Sequence, residues 1–108
     1  MNFDQPNCQV GDVGVRILLT LVDQDGNAID ISTGTSLTIK VEYPDGTSVD
    51  KTALLYSGGV DGKLYYDTIA NDLSQAGQYF VQGEVTIGGK TKNSARGLFN
   101  VNSNIDNN

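Results

Sequence analysis

The sequence predicts an all-β protein, an antiparallel β-sandwich of about seven short strands. Three observations carry that expectation. Apolar residues alternate with polar ones at period two in several windows, and none shows an apolar stripe at helical spacing. Asp-Gly pairs punctuate the chain at Asp25-Gly26, Asp45-Gly46 and Asp61-Gly62. Thirteen glycines stand against two prolines, a composition of tight turns and short elements.

The first strand is expected over Val15 to Val22, with Val15, Ile17, Leu19 and Leu21 facing the core and Leu18 facing outward. The turn DQDGN, Asp23 to Asn27, closes it. Ala28 to Ile31 is a short strand candidate. Ser36 to Tyr43 is the cleanest half-buried strand, with Leu37, Ile39, Val41 and Tyr43 on one face. In Pro44-Asp45-Gly46-Thr47, Pro presets φ early in a turn and Gly supplies the left-handed position. Ser48 to Tyr56 and Lys63 to Ile69 are further strands. The inward face of the second is open between Leu64/Tyr66 and Tyr65/Ile69. Asn71 to Ala76 has the length of one helical turn. Gln78 to Ile87 directs Tyr79, Val81, Val85 and Ile87 one way and Phe80 the other. Gly88-Gly89 turns the chain into a last strand, Lys90 to Val101, with a bulge expected near Gly97. This divides the chain into an N-terminal arm (1–9), a sandwich (10–101) and a polar tail (102–108).

Composition excludes several functions. The net charge of −6 disfavours nucleic-acid binding, since such a domain repels phosphate backbones. The first half, residues 1–54, carries most of that charge, with eight acids and three bases. Lys90, Lys92 and Arg96 make a mildly basic end, expected to be a solvated strand edge. There is no His and no Trp, so the usual general base and the commonest metal ligand are missing. The lone Cys8 has no partner for an internal disulfide. No apolar run is long enough to span a membrane as a helix. Residues 1–10 lack the basic and apolar regions of a signal peptide.

Candidate chemistry is sparse. Asp23, Asp25 and Asn27 alternate like the start of a calcium loop, but Ala28 and Gly34 stand where that loop needs Gly and Glu. No pair of acids is marked by spacing, and the Gly-Gly pairs lack a phosphate-loop context. No catalytic residue, cofactor or metal is therefore expected. Phe3 in the arm, with Leu18 and Phe80 on outward positions, are the candidate interaction residues.

One motif narrows the fold. In LSQAGQY, Leu73 precedes Tyr79 by six residues and Gly77 precedes it by two, at the opening of a strand. The pattern resembles the tyrosine corner of immunoglobulin-like sandwiches, where the Tyr hydroxyl bonds back to the backbone upstream. Val81 occupies the position of the second disulfide Cys of antibody domains, which implies a core fastened by packing alone.

The run GDVGVRILLTLVDQDGNAIDIS, then PDGT, GKLYY and LSQAGQYFVQGEV, resembles the immunoglobulin-like domain of tailed-phage structural proteins. The N-terminal domain of baseplate upper proteins is the best-known example. The resemblance covers roughly residues 8 to 102. It implies a virion protein that works through protein–protein contacts in a symmetric assembly, without catalysis. Baseplate proteins of this kind usually continue into a long trimerising region, and this chain ends at Asn108. The expectation is therefore an accessory virion protein, either a capsid decoration protein or a small tail or neck component. It would be made in the host cytoplasm and partnered by other virion proteins, not by nucleic acid or membrane. The alternative is a sandwich that binds carbohydrate or a host surface through exposed aromatic groups.

Overall fold

The computed structural model describes residues 8–103. Among the described residues, nine strands form two sheets: β1 (Cys8–Gln9), β2 (Arg16–Thr20), β3 (Ser36–Glu42), β4 (Ser48–Thr52), β5 (Leu54–Leu55), β6 (Lys63–Asp67), β7 (Gly77–Ile87), β8 (Lys90–Asn93) and β9 (Gly97–Asn102). The larger sheet has the order β1-β9-β7-β3-β4, with β8 paired to the far half of β7. The smaller sheet has the order β2-β6-β5. The protein is a β-sandwich.

Period-two alternation builds the core. Ile17 and Leu19 of β2, Ile39 and Val41 of β3, Leu64 of β6, Tyr79, Val81 and Val85 of β7, and Phe99 and Val101 of β9 are all buried between the sheets. Two aromatic contacts belong to this core. The Tyr79 ring stacks on Phe99 at 5.2 Å between centroids, and Tyr43 meets it edge-on at 5.3 Å. These geometries suit the ring quadrupole and add to the burial of apolar area.

Two expected strands are each broken in two. The Ser48–Tyr56 segment changes sheets at Ala53: β4 pairs with β3 and β5 with β6. Ala53 is buried at the crossing, where its methyl group needs little room, and its N–H bonds the Leu37 carbonyl at 3.0 Å. The Lys90–Val101 segment is interrupted at Ser94 to Arg96, a longer break than the single bulge expected at Gly97. Ser94 Oγ accepts the Gly83 N–H at 2.8 Å and donates to the Ala95 carbonyl, which satisfies the backbone where the ladder lapses.

Other boundaries also move. Ala28 to Ile31 forms no strand, only the isolated bridge Val22↔Ala28, although Ile31 is fully buried. Asn71 to Leu73 lie in a turn and Ser74 to Ala76 are irregular; the 3₁₀ turn lies instead at Ser57–Gly59. The arm expected over residues 1–9 gives up Cys8 and Gln9 to β1, which runs parallel to β9. β9 extends through Asn102, the first residue of the expected tail. Both shifts share one cause: each terminal segment satisfies its backbone groups against the other.

Gly62 shows how tightly the smaller sheet is joined to its loops. Its φ is +77°, and a Cβ there would stand 2.6 Å from the Leu21 carbonyl oxygen and 2.8 Å from that of Ile29. Left-handed backbone alone costs an L-residue about 1–2 kcal/mol. Gly62→Ala is expected to lower unfolding stability by about 2 kcal/mol or more. Urea denaturation at constant m-value is the check.

Candidate interaction surfaces

Each sheet has an outer face, and the two faces differ in chemistry. On the smaller sheet, Leu19 and Leu64 point inward, so Leu18 and Tyr65 point outward. Register places Leu18 opposite Tyr65 and Tyr65 opposite Leu54, an apolar row across all three strands. Leu54 is 58% exposed. Tyr56 packs edge-on against Tyr65 at 6.2 Å. The Arg16 guanidinium lies 4.2 Å from the centre of the Tyr65 ring and holds Asp67 in a bidentate pair at 2.8 and 3.0 Å. Asp67 is thereby kept below the usual carboxylate range, chiefly by that hydrogen bond.

On the larger sheet, Phe80 lies on the outward side, opposite Glu42 on one neighbour and Leu98 on the other. Arg96, in the break between β8 and β9, stacks on Phe80 at 4.6 Å. A shallow groove of about 390 Å³ runs beside Phe80, edged by Lys40, Glu42, Asp50, Gln82 and Arg96. Lys40 and Asp50 pair at 3.4 Å. Among the described residues, Glu42 and Arg96 have no ion-pair partner.

Leu18 and Phe80, both outward candidates from the sequence, thus lie on opposite faces. Phe3 lies outside the described residues. Sequence reasoning missed Leu54, Tyr56 and Tyr65. The ambiguous face of the Lys63–Ile69 segment hid Tyr65; it resolves with Leu64 buried and Ile69 60% exposed.

The LSQAGQY segment and the PDGT turn meet at one end of the sandwich. The Tyr79 hydroxyl donates to the Gln75 carbonyl at 2.8 Å and accepts the Gln75 N–H at 3.1 Å. Leu73 is buried. Gly77, with φ +132°, lies so close to Pro44 that a Cβ would stand 2.9 Å from it. Gln75 Nε2 donates to Asp45 Oδ2 at 3.1 Å, which ties the two turns together.

A second polar cluster bridges the sheets. Asp72 Oδ1 pairs with Lys51 Nζ of β4 at 2.8 Å. Its Oδ2 accepts the Tyr66 hydroxyl of β6 and the Ile69 N–H. Burial pushes the Asp72 carboxyl up, but the Ile69 N–H, Lys51 and Tyr66 outweigh it, and the net shift is downward. Burial and the Asp72 hydrogen bond push Tyr66 strongly up, so it stays protonated. Every partner here is engaged, which is the pattern of a structural crosslink.

The remaining motifs are turns and core. Asp23 Oδ1 accepts the N–H groups of Asp25 and Asn27, each at 2.9 Å, so this carboxylate closes its own loop. No group of three or more metal-ligating side chains occurs among the described residues. Cys8 is buried, and burial raises its thiol above the ordinary value. Among the described residues, no helix is long and apolar enough to cross a membrane.

The fold is similar to that in the crystal structure of CopC from Methylosinus trichosporium OB3b, with a TM-score of 0.53 and 14% identity, covering 94% of this chain and 92% of that one. At that identity the likeness is one of fold. A search of curated proteins finds no match. The family model described as the BppU N-terminal domain matches residues 2–108, almost the whole chain, as the order of the turn and strand motifs implied. With the sandwich and the matching segment both in place, the chain belongs to the BppU N-terminal domain family, the N-terminal domain of the baseplate upper protein of phage tails.

Proposed function

We propose that this domain is a non-enzymatic docking element of the phage tail, attached to a neighbouring virion protein through the outer face of its three-stranded sheet. The apolar row Leu54–Tyr65–Leu18 carries the reading. It is contiguous, includes an aromatic residue at its centre, and is bordered by the Arg16–Asp67 pair, as a contact core is bordered by a polar rim. Burying a half-exposed Leu or Tyr stabilises an interface by about 1–2 kcal/mol each. In a symmetric particle that gain recurs in every copy. The baseplate family favours the tail over the head, so capsid decoration becomes an outcome that particle labelling must show.

The test is complementation of a phage lacking this gene, with the chain counted per particle by quantitative mass spectrometry. Leu54→Asp and Tyr65→Asp place an unpaired charge in the contact. Each is expected to fold as the parent does, by circular dichroism, and to fall at least about tenfold in particle content. Folded variants that enter particles at the parental copy number would overturn the proposal.

A further inference from the structure

We infer that the groove beside Phe80, on the outer face of the larger sheet, binds a neutral saccharide. The chain carries a net −6, yet the groove balances Lys40 and Arg96 against Glu42 and Asp50. A balanced site offers little to an anion or a cation and suits an uncharged ligand rich in hydroxyl groups. The polar inventory fits. Glu42 presents a carboxylate without an ion-pair partner among the described residues, an acceptor for two adjacent hydroxyls. The Arg96 guanidinium offers planar donors already oriented by its stack on Phe80. The Gln82 Nε2 amide is bound to the Ser94 carbonyl, which fixes its side-chain oxygen as an acceptor at the groove edge.

The apolar inventory is small and placed at one point. Phe80 and Leu98 are cross-strand neighbours on an otherwise polar stretch of sheet, and Leu98 is 40% exposed. Arg96 lies over the Phe80 ring, so Leu98 and the uncovered part of Phe80 form the apolar floor beside the groove. The groove of about 390 Å³ lies within the range of small-ligand sites. This face is opposite the Leu54–Tyr65–Leu18 row across the sandwich, so a ligand here and a protein there do not compete.

The experiment titrates the full chain with maltotriose, cellotriose, chitotriose and an anionic oligogalacturonate, following backbone amide shifts by NMR. Saturable binding of at least one neutral oligosaccharide at millimolar concentration or below is expected, with shifts centred on Gln82, Arg96 and Leu98. Phe80→Ala should weaken it at least about tenfold. Glu42→Gln, an exposed and isosteric change, should weaken it at least about threefold without altering the fold. Leu54→Asp, on the opposite face, should leave it unchanged. Absence of binding by all three neutral sugars, binding of the anionic one alone, or shifts centred on Leu18 and Tyr65 would each overturn the inference.

Discussion

Replacing Asp72 by Ala should destabilise the domain by about 2–3 kcal/mol, because a largely buried carboxylate is removed and the Tyr66 hydroxyl and Ile69 N–H lose their acceptor. Domains of this size hold about 5–15 kcal/mol, so the variant would lose a large share of its stability. The geometry makes this site costly. Asp72 joins Lys51 of the larger sheet to Tyr66 of the smaller, and it also caps the Ile69 N–H. Its loss strands the Tyr66 hydroxyl and the Ile69 N–H, while Lys51, a quarter exposed, can be solvated. Asp72→Asn keeps the shape and should cost less. The pH dependence follows from the direction of the Asp72 shift. Its folded pKa is lowered, so the stabilisation is complete above the unfolded carboxylate value, roughly 3.9. It is lost as pH falls through the lower folded value. Urea midpoints measured from neutral to acidic pH should fall steeply in the parent below about pH 4, and less steeply in Asp72→Asn. Parallel profiles would show that Asp72 does not carry the acid sensitivity.

Tyr79→Ala is expected to cost about 3–5 kcal/mol, the range for truncating a fully buried aromatic side chain. The ring is enclosed by Phe99 and Tyr43, so a cavity remains on both sides. Tyr79→Phe separates packing from hydrogen bonding. It keeps the ring and removes both bonds to Gln75, leaving that backbone N–H and carbonyl to find water. Its expected cost is about 1–2 kcal/mol. Thermal unfolding of the two variants measures both terms. Equal losses for Phe and Ala would mean that the hydroxyl, not the ring, holds this end of the sandwich.

The parts of the fold legible in the sequence were those with local signatures. Alternation through Leu37–Tyr43 and Tyr79–Ile87 placed most of the core-lining positions of β3 and β7, since a strand with one buried face carries its own record. Asp-Gly pairs marked turns because few residues accept positive φ. What escaped was non-local. Ala53 looks like any strand residue, and only pairing on either side shows that the chain changes sheets there. The parallel β1–β9 pair brings together opposite ends of the chain. Lys51 and Asp72 carry no sequence mark of their partnership. The same holds for the candidate surfaces. Leu18 and Phe80 stood out by being out of phase in their own strands. Leu54 and Tyr65 joined Leu18 only when register aligned three strands, and Arg96 reached Phe80 only through the break at Ser94.

That this sandwich is built into the phage tail is tested by immunogold labelling of purified particles with antibody raised against the chain. Gold confined to the tail or its tip is the predicted result. Gold spread over the heads, or particles without label despite expression of the chain in infected cells, would contradict it.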